Sequence, residues 1–84
     1  MYTISADDES EDQIDALPHD ALVWFAEVRA MLEVAPWNGP AYNSRKPDSP
    51  MRSVPFGPDS QGMVIYLIVD DLRRVDLLRV VWAG

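Results

Sequence analysis

GMVIYLIVDD, residues 62–71, places seven consecutive apolar or aromatic side chains, Met63 to Val69, between a glycine and two aspartates. A strand of this composition puts Met63, Ile65, Leu67 and Val69 on one face and Val64, Tyr66 and Ile68 on the other. Both faces are apolar, so both need cover. Downstream, Asp70-Asp71-Leu72-Arg73-Arg74 reads as a hairpin loop leading to a second strand, Val75–Trp82. Strict alternation there groups Asp76, Leu78, Val80 and Trp82 against Val75, Leu77, Arg79 and Val81, with one charge on each face.

Upstream the periodicity changes. Between Ala21 and Ala35 the apolar positions Ala21, Trp24, Phe25, Val28, Leu32 and Ala35 recur at helical spacing. Leu17-Pro18-His19-Asp20 opens this helix, with Asp15 or Asp20 placed to cap it, and Pro36 stops it. A shorter helix over about residues 7–16, anchored by Ile14 and Leu17, and a weakly alternating strand over Met1–Ala6 precede it. Trp37–Pro50 is a long loop with no periodicity, either functional or wrapped on the body through Trp37 and Tyr42. Met51–Gly57 is strand-like, and Pro55 confines it to an edge or a bulge.

The pattern predicts one α+β domain over residues 1–84: an N-terminal strand, then a helical hairpin on one face of a mostly antiparallel, three- to four-stranded sheet. One layer of helices covers one face. The other is expected to lie partly under the long loop and otherwise to present an apolar surface to a protein partner.

Composition narrows the function. The net charge is −7, and residues 1–20 hold seven acids and no Lys or Arg. A non-specific nucleic-acid binder draws its affinity from a basic excess, which this chain lacks overall; Arg45, Lys46 and Arg52 form the nearest local patch. The acidic run reads first as a solvated helix start. With no cysteine there is neither a disulfide framework nor thiolate chemistry. The first residues have no signal-peptide pattern and no apolar run suits a membrane, so a soluble protein of the bacterial cytoplasm is expected.

Conventional catalytic sets are missing. His19 stands alone at a helix start, and Ser44, Ser53 and Ser60 have no base nearby in sequence. No metal or other cofactor is expected, because no His/Cys cluster exists and Asp70-Asp71 sits in a turn. Arginine with aromatics remains. Arg45, Lys46, Arg52 and Arg79 can meet phosphates, while Tyr66 and Trp82 can stack on bases, although Trp82 also reads as packing.

The order of elements resembles the RelE/ParE toxin superfamily of bacterial type II toxin–antitoxin systems, in an actinobacterial-type branch. The segments carrying the resemblance are Leu17-Pro18, Leu32 to Gly39, Met51 to Gly57, Gly62 to Ile68 and Arg74 to Trp82, across nearly the whole chain. The resemblance implies a toxin neutralised by a cognate antitoxin, with ribosome-dependent cleavage of messenger RNA as its first implied activity. On that reading Arg52, Arg79 and Trp82 take the catalytic positions, and Arg45, Lys46 and Tyr66 contact RNA. The messenger's own 2′-hydroxyl is the nucleophile. Trp37, Tyr66 and Trp82 are expected under the antitoxin. Inhibition of DNA gyrase, as in ParE-like members, or antitoxin binding without catalysis are the alternatives. The chain's acidity keeps both open.

Overall fold

The helical spacing before Pro36 and the strand spacing after Pro50 become two layers in the computed structural model, which describes residues 1–84. Strand β1 (Thr3–Ala6) leads into helices α1 (Asp8–Asp15) and α2 (His19–Val34). Strands β2 (Met51–Phe56), β3 (Gly62–Val69) and β4 (Arg74–Trp82) follow. The sheet order is β1-β4-β3-β2, antiparallel except for the parallel β1–β4 pair. This is the α+β architecture expected from the sequence.

The acidic start has a local explanation. Asp7 caps α1, its carboxylate accepting from the Ser10 amide at 2.8 Å, and Asp8, Glu9 and Glu11 occupy the first turn, where the helix dipole favours negative charge. At α2 the expectation was wrong. Pro18 is the capping residue and no side chain caps the helix, so neither Asp15 nor Asp20 serves; the first turn closes through Leu22 N–H donating to the Pro18 carbonyl. Ala21, Phe25 and Leu32 are the fully buried face of α2.

Strand β3 divides as alternation requires. Val64, Tyr66 and Ile68 are buried beneath the helices, with Val75, Leu77 and Val80 of β4 beside them in one core. Strict alternation fails in β4, however. The β3–β4 register shifts between Ile65, opposite Arg79, and Tyr66, opposite Leu77, leaving Leu78 as an extra residue. This bulge reverses the facing of everything after it. Val80 and Trp82 therefore join Val75 and Leu77 on the covered side, and Arg79 and Val81 turn outward with Asp76. The covered face of β4 carries no charge, which corrects the one-charge-per-face expectation.

The bulge also fixes the position of α1. Strand β1 pairs with β4 only as far as Leu77, so the backbone beyond needs other partners. Ser10, fully buried, donates its hydroxyl to the Leu77 carbonyl at 3.1 Å, and the Gln13 side chain accepts from the Val80 amide at 2.7 Å. Two polar residues of α1 finish the edge that β1 leaves open. The sequence pointed to Ile14 and Leu17 as the anchors; Leu17 is buried and Ile14 packs against the core, but the hydrogen-bonded registration comes from Ser10 and Gln13.

Candidate functional site

The loop after α2 is joined to the outer edge of β2, and its residues Tyr42 to Ser49 lie beside Met51 at the margin of the open face. Tyr42 N–H donates to Met51, Ser53 N–H donates to Pro40, and Ala41 bridges Arg52. The edge strand is thereby covered along its first half, and Pro55 removes a donor from its second half.

Arg52 holds this arrangement from inside. Only 9% exposed, it donates from Nη1 to the Gly39 carbonyl at 2.8 Å and from Nη2 to the Pro47 carbonyl at 2.7 Å. Its guanidinium lies 5.0 Å from the Trp37 ring centroid, a cation–π contact. A planar fork that ties two parts of one loop to a strand is engaged in positioning that loop.

Tyr66, facing Arg52 across the β2–β3 ladder, is fully buried and donates to the Pro36 carbonyl at 2.7 Å. Gly39 leaves room for that hydroxyl: a Cβ there would sit 2.0 Å from Tyr66 Oη. Desolvation by burial pushes the Tyr66 phenol up to about 12, with the Arg52 charge opposing. The ring can neither stack a base nor touch a partner from this position, and the hydroxyl is no base at neutral pH. The RNA-contact and partner-contact expectations for Tyr66 are corrected on that ground: it occupies the helix-covered face of β3, with its polar tip already paired.

Trp82 is half-buried on the same covered side, at the far end of β4. Its ring stacks against Phe56 at 5.5 Å and Trp24 at 6.0 Å between centroids, so it belongs to an aromatic cluster between sheet and α2. Its indole nitrogen is buried without a hydrogen-bond partner. Arg79 is exposed on the opposite face of the sheet. Arg52 and the Trp82 end of the sheet, paired to Phe56 and Gly62, are four residues apart along β2, or about 13 Å. The three expected catalytic positions thus lie on two faces and at two ends of the sheet.

Other expected residues remain accessible. Arg45 and Lys46 are exposed on the loop, and neither is in a salt bridge; the one ion pair is Arg74–Asp76, at 2.7 Å. Trp37 is 40% exposed and donates its indole N–H to Asp70 Oδ1 at 3.1 Å. The same carboxylate accepts from Tyr2 Oη at 2.5 Å, and these two hydrogen bonds, Tyr2 first, hold Asp70 below the usual carboxylate range. Arg73 stacks over the Tyr2 ring at 4.7 Å. This corner joins the N-terminus, the loop and the β3–β4 turn.

The uncovered face of the sheet presents Met51, Met63, Ile65, Leu67, Val69 and Val81, with Met63 and Val81 exposed and the rest half-buried. Arg79 is its one unpaired cation, because Arg74 engages Asp76. The surface is suited to apolar contact. No group of three or more His, Cys, Asp or Glu side chains is placed to hold a metal ion.

The fold has known counterparts. Isolated E. coli RelE toxin superposes with a TM-score of 0.81 at 12% identity, covering 100% of this chain and 86% of that one. The fold is that of the RelE toxin. RelE within the intact E. coli RelBE toxin–antitoxin complex gives a TM-score of 0.80 at 12% identity over 100% of this chain and 99% of that one. A doubly substituted E. coli RelE bound to an antitoxin RelB peptide gives 0.76 at 13% identity over 99% and 84%. No protein-family model matches the sequence, and no curated protein matches it. The likeness to RelE therefore lies in the path of the chain and not in residue identity.

Proposed function

We propose that this chain is the toxin component of a type II toxin–antitoxin pair, acting in the bacterial cytoplasm and bound by a cognate antitoxin. The observation that supports this best is the RelE fold over the full length of the chain, together with an apolar sheet face that the chain's own helices and loop leave open. RelE structures exist both free and with RelB, which makes an antitoxin segment the partner to test on that face. Trp37, exposed beside Asp70, is a further contact position.

For activity, ribosome-dependent cleavage of messenger RNA is the reading drawn from the family resemblance, including its actinobacterial-type branch. Arg79 remains available to a phosphate, and Arg45 and Lys46 to the RNA backbone. A second reading is an antitoxin-binding protein, or a gyrase-directed toxin, without nuclease action. The engagement of Arg52 and the separation of Arg79 from Trp82 favour it.

Induced expression with mapping of RNA ends and of plasmid supercoiling separates these readings. New ribosome-dependent ends, lost in a folded Arg79→Ala variant, support the nuclease. Altered supercoiling without new ends supports gyrase. If neither changes while a co-expressed small partner co-purifies, the protein binds antitoxin without nuclease action. Absence of both toxicity and a partner defeats the toxin–antitoxin reading itself.

A further inference from the structure

Charge is distributed unevenly along this chain. Residues 36–56 hold three bases (Arg45, Lys46 and Arg52) against one acid, Asp48, whereas the rest of the chain holds four bases against thirteen acids. The loop segment is net basic in an acidic protein, a balance shared only by residues 72–84, where Arg74 is already paired with Asp76. It also contains a concavity of about 460 Å³, lined by Tyr42, Asn43, Ser44, Lys46, Ser49 and Met51. Each of the other two concavities has two carboxylates against one arginine: Glu11 and Asp15 with Arg29 in one, Asp7 and Asp76 with Arg74 in the other. Those two linings are net negative, and this one, with Lys46 and no carboxylate, is the more favourable to an anionic ligand.

The lining has a particular chemistry. Tyr42 is 53% exposed and lines the concavity, so its side chain is accessible to a ligand there. Lys46 has no acidic partner within salt-bridge distance. The Ser49 hydroxyl oxygen accepts from the Met51 amide, which leaves its own proton to donate. Asn43 accepts from the Arg45 amide through Oδ1, leaving its amide protons free. An aromatic face, a mobile cation and short polar donors are what an unstacked nucleotide requires: a surface for the base, a charge for the phosphate, and partners for the base edge.

The loop is also preorganised. Tyr42 is held through its backbone to Met51, Lys46 N–H donates to Asn43, Ser49 N–H donates to Lys46, and Arg52 clamps Gly39 and Pro47 from beneath. Ordering a loop on binding would cost affinity, and here much of that order exists beforehand.

We propose that the cavity between Tyr42 and Met51 binds one unstacked nucleotide of single-stranded RNA, with the base on Tyr42 and the adjoining phosphate on Lys46. This rests on the RNA-directed reading above and moves the stacking role from Tyr66 to Tyr42. Arg52 is then a positioning residue for the loop that carries the site.

The test is fluorescence anisotropy with a labelled short oligouridylate and the full chain, without ribosomes, over a range of salt. The parent binds saturably at low salt. Tyr42→Ala weakens binding about 5- to 150-fold, as expected for loss of one stacked base, and Tyr42→Phe matches the parent. Lys46→Ala lowers the salt slope by about 0.7, one phosphate contact on a single strand. Arg29→Ala, at a different concavity, leaves binding unchanged. Circular dichroism verifies that each variant is folded. No saturable binding by the parent, or equal binding by Tyr42→Ala, overturns the assignment. So does equally tight, Tyr42-dependent binding of polyglutamate, which identifies a site for an acidic protein segment. Tyr42-dependent binding in a protein that cuts no RNA in cells sustains the subsite and removes the nuclease. Messenger cleavage that Tyr42→Ala leaves intact, with RNA affinity also unchanged, does the reverse.

Discussion

Arg52→Met separates two roles that a buried arginine can have. The substitution keeps most of the aliphatic stem and removes both charged hydrogen bonds and the contact with Trp37. Each hydrogen bond from a charged donor is worth about 1.5–3 kcal/mol net. The two are not equal. Gly39 is buried, so its carbonyl loses its partner with little access to water, whereas exposed Pro47 rehydrates. The Trp37 contact adds about 0.5–2 kcal/mol. Against this, the variant no longer buries a guanidinium whose Nε has no partner, which returns part of the cost. The balance is a loss of about 2–4 kcal/mol, set against a total stability on the order of 4–13 kcal/mol for a chain of this length. Tm should fall by roughly 10–25 °C in a domain this small. Hydrogen exchange carries the decisive signature. The Tyr42 and Ser53 amides, which bond across the loop, should exchange much faster at temperatures where the β3–β4 amides stay protected. Denaturant unfolding and native-state exchange measure both quantities. A loss below about 0.5 kcal/mol with unchanged loop protection would refute the clamp and return Arg52 to a role in binding or chemistry.

Tyr66 gives an alkaline limb. Its folded-state value of about 12 lies above the ordinary value of 10, so the neutral phenol is favoured by folding. That contribution is complete below pH 10 and is lost as pH rises through about 12; a Tyr66→Phe variant should show a shallower fall of Tm over that window, and parallel curves would refute it. Asp70 works at the other end. Its carboxylate is depressed by Tyr2 and then Trp37, so its contribution is present above the unfolded carboxylate value and lost as pH falls through the depressed one; Asp70→Asn should flatten that acid limb of the Tm profile. Ser10→Ala orphans the buried Leu77 carbonyl and should cost about 1–3 kcal/mol in urea unfolding, with no change if water replaces the hydroxyl. Met63→Glu, at a position 41% exposed on the open face, should leave stability within about 0.5 kcal/mol while abolishing co-purification of the antitoxin; retained co-purification would place the partner elsewhere.

Much of the fold was determined locally and could be read from the sequence. The change from three-and-four spacing to two, the stops at Pro36 and Gly57-Pro58, and the apolar run from Met63 to Val69 depend on backbone geometry within a few residues. The edge position of β2 followed from Pro55 for the same reason. What the sequence left open was settled by contacts between distant residues. A bulge opposite Ile65 and Tyr66 inverts the end of β4, and no local pattern marks it, because both faces of that strand are largely apolar. Ser10 and Gln13 look like ordinary polar residues of an acidic helix until β1 ends at Ala6 and leaves β4 unpaired. Arg52 and Tyr66 have the residue types of an RNA site, yet the β2–β3 register turns both toward the core, where the Gly39, Pro47 and Pro36 carbonyls engage them. Tyr42 and Lys46, in a stretch with no periodicity at all, keep their side chains at the surface because backbone bonds and that internal clamp shape the loop. Alternation specifies which side chains share a face; which face is covered, and which polar tips already have partners, is a property of the assembled sheet, its helices and its loop.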